Sequence, residues 1–134
     1  MSDTLLDALR ARIVTATGLD EPAVHISRAA AVPETDAPVV VLRAAGGPGA
    51  MRTHNGGELR ERLVQITVRA LDAAAAAETA EAVRTACNTG TEFTAAGVRV
   101  LTVRPVQDVL DLPLDGNGRA LVAFRIQARY ADAS

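Results

Sequence analysis

The stretch Arg60-Glu61-Arg62-Leu63-Val64-Gln65-Ile66-Thr67-Val68-Arg69-Ala70-Leu71, followed at once by Asp72 and the alanine-rich run from Ala73 to Asn88, decides how this chain folds. Val64, Ile66, Val68 and Ala70 alternate with Gln65, Thr67 and Arg69. Alternation of period two puts one set on a buried face and the other on a polar face, the pattern of a sheet covered on one side. Asp72 then offers a side-chain oxygen to the orphan N–H groups of a following helix. Alanine is the strongest helix former. Ala76, Ala80, Val83 and Cys87 recur as an inner stripe, with Glu78, Glu81 and Arg84 outside it. A helix faced with such short side chains is able to lie close to a sheet. Asn88-Thr89-Gly90 ends it.

Working outward, Arg119 to Tyr130 reads as a second long strand. Val122, Phe124, Ile126, Ala128 and Tyr130 form its apolar face, and Arg125, Gln127 and Arg129 its polar one. Val98 to Val106 is a strand bounded by Gly97 and Pro105. Between these two, Asp108 to Gly118 is rich in turn residues, with Asp115-Gly116 and Asn117-Gly118 as reverse-turn signals. Towards the N-terminus, Leu6, Leu9 and Ile13 recur at helical spacing, with Ser2, Asp3 or Thr4 as caps and Gly18 as a stop. Val24 to Arg28 suggests a short strand, Ala29–Pro38 a loop, and the β-branched run Val39–Leu42 another strand. From about Ala45 to Glu58 the sequence is glycine-rich and aperiodic, which reads as a mobile loop. The order is α-β-β-β-α-β-β. It predicts an α+β two-layer sandwich, a mainly antiparallel sheet with two helices on one face, with residues 1–134 forming a single domain.

A chain of 134 residues buries enough surface for one core without a staple. Cys87 is the one cysteine, so no intrachain disulfide forms. The first residues carry acidic groups and no basic region of a signal peptide, so synthesis and folding in a cytoplasm are expected. The longest apolar run, Ala73–Ala77, is far short of a membrane span, and no membrane association is expected. A net charge of −2 argues against a basic nucleic-acid footprint. Aromatic residues make up 2% of the chain, so there is no platform for stacking bases. All 14 basic residues are arginine. Codon usage in a GC-rich genome accounts for that bias, and arginine is also the cation favoured at interfaces.

No catalytic residue, cofactor site or metal site is expected. The glycines from Gly46 to Gly57 lack the Gly-Lys-Ser/Thr ending of a phosphate loop and precede a strand rather than a helix. His25 and His54 are the two histidines, and neither has a partner at zinc-ligand spacing. Cys87 sits among alanines as a small buried hydrophobe rather than a nucleophile. Asp108, Asp111 and Asp115 cluster in sequence but lack calcium-loop spacing. The arginines on the polar strand faces have two readings. Arg69, Arg125 and Arg129 form either a solvated face or a subunit interface in which they meet a neighbour's carboxylates. Arg52, Arg60 and Arg62, in or beside the glycine-rich segment, have the same two readings.

Taken together, these segments resemble the tail-terminator and minor tail (tail-completion) proteins of tailed bacteriophages. The features that carry the resemblance run nearly the length of the chain. They are a first helix with a Gly18-Leu19 break, a strand Val24–Arg28, and the segment Pro38-Val39-Val40-Val41-Leu42-Arg43 leading to Gly46-Gly47. The strand Leu63-Val64-Gln65-Ile66-Thr67-Val68-Arg69, the alanine helix, the turn Asp115-Gly116-Asn117-Gly118-Arg119 and the closing Phe124–Tyr130 complete the series. The resemblance implies a non-enzymatic virion protein, without cofactor, of a phage, prophage or gene transfer agent. It implies a hexameric ring on the head-proximal end of the tail. The ring caps the tail tube, stops its polymerisation and offers a surface for head joining. The implied partners are further copies of the chain, the tail tube protein and head–tail connector proteins. Sequence-specific nucleic acid is not among them, although DNA is able to pass through the ring lumen. The residues expected at partner contacts are Arg52, His54, Arg60, Arg62, Arg69, Arg119, Arg125 and Arg129. Another head–tail connector, adaptor or completion protein is the alternative reading, and a small α+β ligand-binding module a more distant one.

Overall fold

The computed structural model describes residues 4–18, 24–26, 38–52, 58–88, 92–112 and 119–132. These form α1 (Thr4–Thr17), β1 (Val24–Ile26), β2 (Val39–Arg52), β3 (Glu58–Ala70), α2 (Ala73–Ala86), β4 (Phe93–Ala95), β5 (Val98–Pro105), β6 (Leu110–Leu112) and β7 (Ala120–Asp132). The α+β class and the order of the main elements are those read from the sequence, with two three-residue strands, β4 and β6, added.

The regular heart of the sheet is the antiparallel pair β3–β7. Its register runs without interruption from Arg60 opposite Tyr130 to Ala70 opposite Ala120. The strands on either side are irregular. Opposite β3, β2 shifts register between Ala44 and Gly46 and again between Gly46 and Gly49. Opposite β7, β5 shifts between Val100 and Thr102. The strand order is β1-β2-β3-β7-β5-β4, with β6 also on β7. All pairs are antiparallel except β1–β2. A parallel pair needs a crossover rather than a tight turn; residues 27–37, which include the end of the strand expected at Val24–Arg28 and most of the loop expected at Ala29–Pro38, lie outside the described residues.

Extra residues on both flanks of a regular pair bend the flanking strands and increase their twist. The sheet therefore curls over its helices. α2 packs across β3 and β7, whereas α1 touches β1 and β2 near one edge and β4 and β5 near the other. The core lies inside this curl. Val64, Ile66 and Val68 of β3 meet Ile126, Phe124 and Val122 of β7 directly across the register. Leu5, Leu6, Leu9 and Ile13 of α1, and Ala76, Ala80 and Val83 of α2, close over them, all buried. Asp72 caps α2 by accepting the Ala75 N–H at 2.8 Å, an arrangement worth about 1 kcal/mol. Gly18 ends α1 at φ +75°, the conformation that glycine adopts without strain. Arg12, off the apolar stripe of α1, donates from Nε to the Ala86 carbonyl at 3.4 Å and lies 5.7 Å from the centre of the Phe93 ring. It ties α1 to the end of α2 and to the edge strand β4.

Two expectations from the sequence are corrected. The segment from about Ala45 to Glu58, read as a loop, is strand from 45 to 52 and again at Glu58, with Arg52 opposite Glu58. The two register shifts at Gly46 and Gly49 erase the alternation by which a strand is recognised. Residues 53–57 lie outside the described residues. Likewise Leu110–Leu112, read as part of a turn-rich segment, pairs with Leu121–Ala123 of β7.

Candidate functional site

The helices cover one face of the sheet, and the convex face carries most of the polar side chains of β3 and β7. Glu61, Leu63, Gln65, Thr67 and Arg69 of β3 stand opposite Arg129, Gln127, Arg125, Ala123 and Leu121 of β7, on the side away from the core. β2 adds Val41 and Arg43, opposite Thr67 and Gln65. β5 adds Arg99, Thr102 and Arg104, opposite Ala131, Arg129 and Gln127. The register shift near Leu101 brings Arg99 and Arg104, which an unbroken strand would send to opposite faces, onto the same one.

A polar chain crosses three strands here. Arg104 donates from Nε and Nη2 to Oε1 of Gln127, at 3.3 and 3.0 Å. Gln127 donates from Nε2 to Oε1 of Glu61. The Arg129 Nε lies 3.7 Å from the same carboxylate oxygen. The Glu61 side chain is only 9% exposed. A carboxylate so enclosed needs such donors, because burial without them is costly. At the margin of the face, Arg99 Nε lies 3.6 Å from Glu92 Oε1. Arg43 and Arg125 flank Gln65 from either side, both exposed, and neither has an ion-pair or hydrogen-bond partner among the described residues.

The face thus holds six arginines (Arg43, Arg69, Arg99, Arg104, Arg125 and Arg129) and, among the described residues, one carboxylate. Of the residues expected at partner contacts, Arg69, Arg125 and Arg129 come together on it. Arg60 and Arg62 do not. Their register partners, Tyr130 and Ala128, are core-side residues, so both arginines belong to the helix-side face at the far end of β3. Arg119 is half-buried just before β7, and Arg52 is the last residue of β2. His54 lies outside the described residues. Arg43, Arg104 and Glu61 were not singled out from the sequence, since only the pairing register reveals their company.

The other reactive groups are placed as follows. Cys87 is buried, and desolvation pushes its thiol up to about 12, with the nearby Arg12 charge opposing in part. It stays a thiol near neutrality, and the thiolate is the nucleophilic form. His25 is in β1, opposite Val41. Asp108 lies 3.7 Å from Nη2 of Arg84, and Asp111 is exposed on β6; Asp115 lies outside the described residues. Among the described residues there is no group of three or more His, Cys, Asp or Glu able to hold a metal ion. No helix among the described residues is long and apolar enough to cross a membrane. A depression of about 310 Å³ is lined, among the described residues, by Asp7, Arg10, Ala11, Val14 and Thr15 of α1.

No protein-family model and no curated protein matches the sequence. A solved structure does resemble it: a chain of the "Virion of native gene transfer agent (GTA) particle", with a TM-score of 0.59 and 16% sequence identity. The match covers 95% of this chain and 94% of that one. At this identity the likeness is one of fold.

Proposed function

We propose that this chain is a structural protein of a phage-like virion, and within that class a tail terminator. The observation that carries the proposal is the shared fold with a chain of a gene transfer agent virion, which takes in nearly the whole of both chains. The order of segments along the sequence supports the finer assignment. In this reading residues 1–134 act as one domain, and copies assemble into a hexameric ring at the head-proximal end of the tail. The ring caps the tube, halts its growth and presents a surface to the head connector, with no chemistry and no cofactor. The convex sheet face, with Arg69, Arg125 and Arg129, makes a contact between subunits. The segment 52–62, which includes Arg52, His54, Arg60 and Arg62, contacts the tail tube or an adjacent subunit, and Arg119 joins the partner contacts from just before β7.

The test is tail length, measured by electron microscopy in particles from a strain lacking this gene. Overlong, variable, headless tails are expected. Tails of normal length that fail to join heads would replace the terminator with an adaptor or completion protein, a reading that the fold match supports equally because its description covers the whole particle. Unaltered particles would remove the virion reading.

A further inference from the structure

The convex sheet face has an excess of positive charge on a chain that is negative as a whole. Among the described residues, six arginines lie there with one carboxylate, and the other seven arginines stand with nine acidic residues elsewhere. Part of that negative excess lies on the far side of the molecule. α2 turns Ala76, Ala80 and Val83 to the sheet and leaves Glu78 and Glu81 exposed on its outer side, among Ala74, Ala77 and Ala82. Asp72 is exposed at its N-terminus, and the one basic residue of the helix, Arg84, is directed to Asp108.

From this arrangement we infer that the arginine face of one copy packs against the outer side of α2 of a second copy. Three observations select this occupant. Arg43 and Arg125 are exposed cations without partners among the described residues, and they are matched by exposed carboxylates elsewhere on the same chain. The alanines beside Glu78 and Glu81 make α2 flat, so a broad sheet face is able to come close to it. Leu121, half-buried opposite Arg69, and the half-buried Val41 and Thr67 adjoin the arginines on the same face. That mixture of apolar and arginine surface is typical of a protein contact. A polyanion such as DNA is disfavoured, because Glu61 stands in the middle of the arginines and no aromatic side chain is available for stacking there.

The symmetry follows from the charge. A two-fold contact would set each patch against its own copy, arginines against arginines, and like charges brought together are repulsive. The patches that attract lie on opposite sides of the subunit, so the contact is heterologous. Each copy uses its sheet on one neighbour and α2 on the other, and the series closes into a ring or continues as a filament. Closure rests on the ring assembly proposed above; the contact itself does not.

Charge exchange tests the contact. R43E/R125E reverses the sheet side, E78R/E81R reverses the helix side, and the four changes together restore opposite charges. All four residues are exposed or on the surface of regular elements, and circular dichroism checks that the fold is kept. Self-association is read by sedimentation velocity across a concentration series. Wild type is expected to associate, and to weaken roughly tenfold or more between about 0.05 and 0.5 M salt. Each double variant is expected to lose association, and the quadruple variant to regain it. A wild type that is monomeric up to about 1 mM at low salt overturns the inference. So does a quadruple variant that stays monomeric while the wild type associates, since the arginine face then meets something else, another protein or DNA. Tail length in the deletion strain is a separate readout. Overlong tails with swap-insensitive protein keep the terminator and remove this contact, and unaltered particles with swap-restored association do the reverse.

Discussion

The buried thiol of Cys87 makes alkaline stability a direct probe of how α2 sits on the sheet. Cys87 follows the last turn of α2, its N–H donates to the Val83 carbonyl at 2.9 Å, and its side chain is 1% exposed. Desolvation raises the thiol from 9.0 in the free side chain to about 12. Between those two values the unfolded chain has released the proton and the folded chain still holds it. The folded state then binds more protons, so stability falls as pH rises. Below pH 9 the contribution is intact. Each pH unit above that removes about 1.4 kcal/mol until the folded thiol also ionises. At a pH about 1.5 units above the free value, the loss is about 2 kcal/mol.

Other groups also titrate in alkali, so the comparison is with Cys87→Ala. The variant loses some packing at every pH, a constant offset of about 1 kcal/mol for a small buried group. What the thiol adds is the pH dependence of the difference. Urea unfolding followed by circular dichroism under reductant, at about pH 7.5 and about pH 10.5, gives the two stabilities. The advantage of wild type over Cys87→Ala should shrink by about 2 kcal/mol across that interval, enough to reverse its sign. A difference that stays flat means that the thiol ionises within the fold, and the close seat of α2 on β3 and β7 described here would be wrong.

Two further substitutions probe the same architecture. Ala96 occupies the β4–β5 turn at φ +53°, ahead of Gly97 at φ +76°. A side chain in this left-handed region costs about 1 kcal/mol, so Ala96→Gly should raise the unfolding free energy, measured by urea denaturation, by about that amount, and a loss of stability would contradict the turn. Ala80 is fully buried where α2 crosses the sheet. Ala80→Leu should cost about 1–3 kcal/mol by forcing the helix outward, measured by urea unfolding, and an unchanged stability would show a gap where the structure has contact.

The parts of this fold legible in the sequence are those in which local and tertiary demands agree. β3 and β7 alternate strictly because their mutual register is unbroken and one face is buried throughout. α2 was legible from its cap and its inner stripe. The rest was hidden by irregularity. The outer half of β2 carries two register shifts in a glycine-rich segment, so its side chains show no period. β4 is three residues long and turns through Ala96-Gly97, which lacks the usual Asn-Gly or Asp-Gly signal. The candidate site divides the same way. Parity alone groups Arg125 with Arg129 on one strand, and parity plus pairing adds Arg69. Arg104 and Arg99 share a face only because of the shift near Leu101, and the Arg104–Gln127–Glu61–Arg129 chain depends on register across three strands, which no local pattern encodes.

The two faces of the β3–β7 pair solve different physical problems, and the contrast bears on function. The core face is settled within the subunit, since apolar side chains leave water against the helices and need nothing further. The convex face of an antiparallel sheet is ordinarily given to solvent, with charges of both signs interspersed. Here a chain of net charge −2 places, among the described residues, six arginines with one carboxylate on that face, while α2 carries exposed carboxylates on its outer side. Segregated charge raises the electrostatic energy of the isolated subunit through like-charge repulsion and lowers that of a stack in which each arginine face meets an acidic one. The sheet's curl fixes which stack is possible, because it holds the helices inside and leaves the arginine face on the convex side. Under the proposed contact, such a subunit gains more from head-to-tail assembly than from standing alone, as the proposed ring requires.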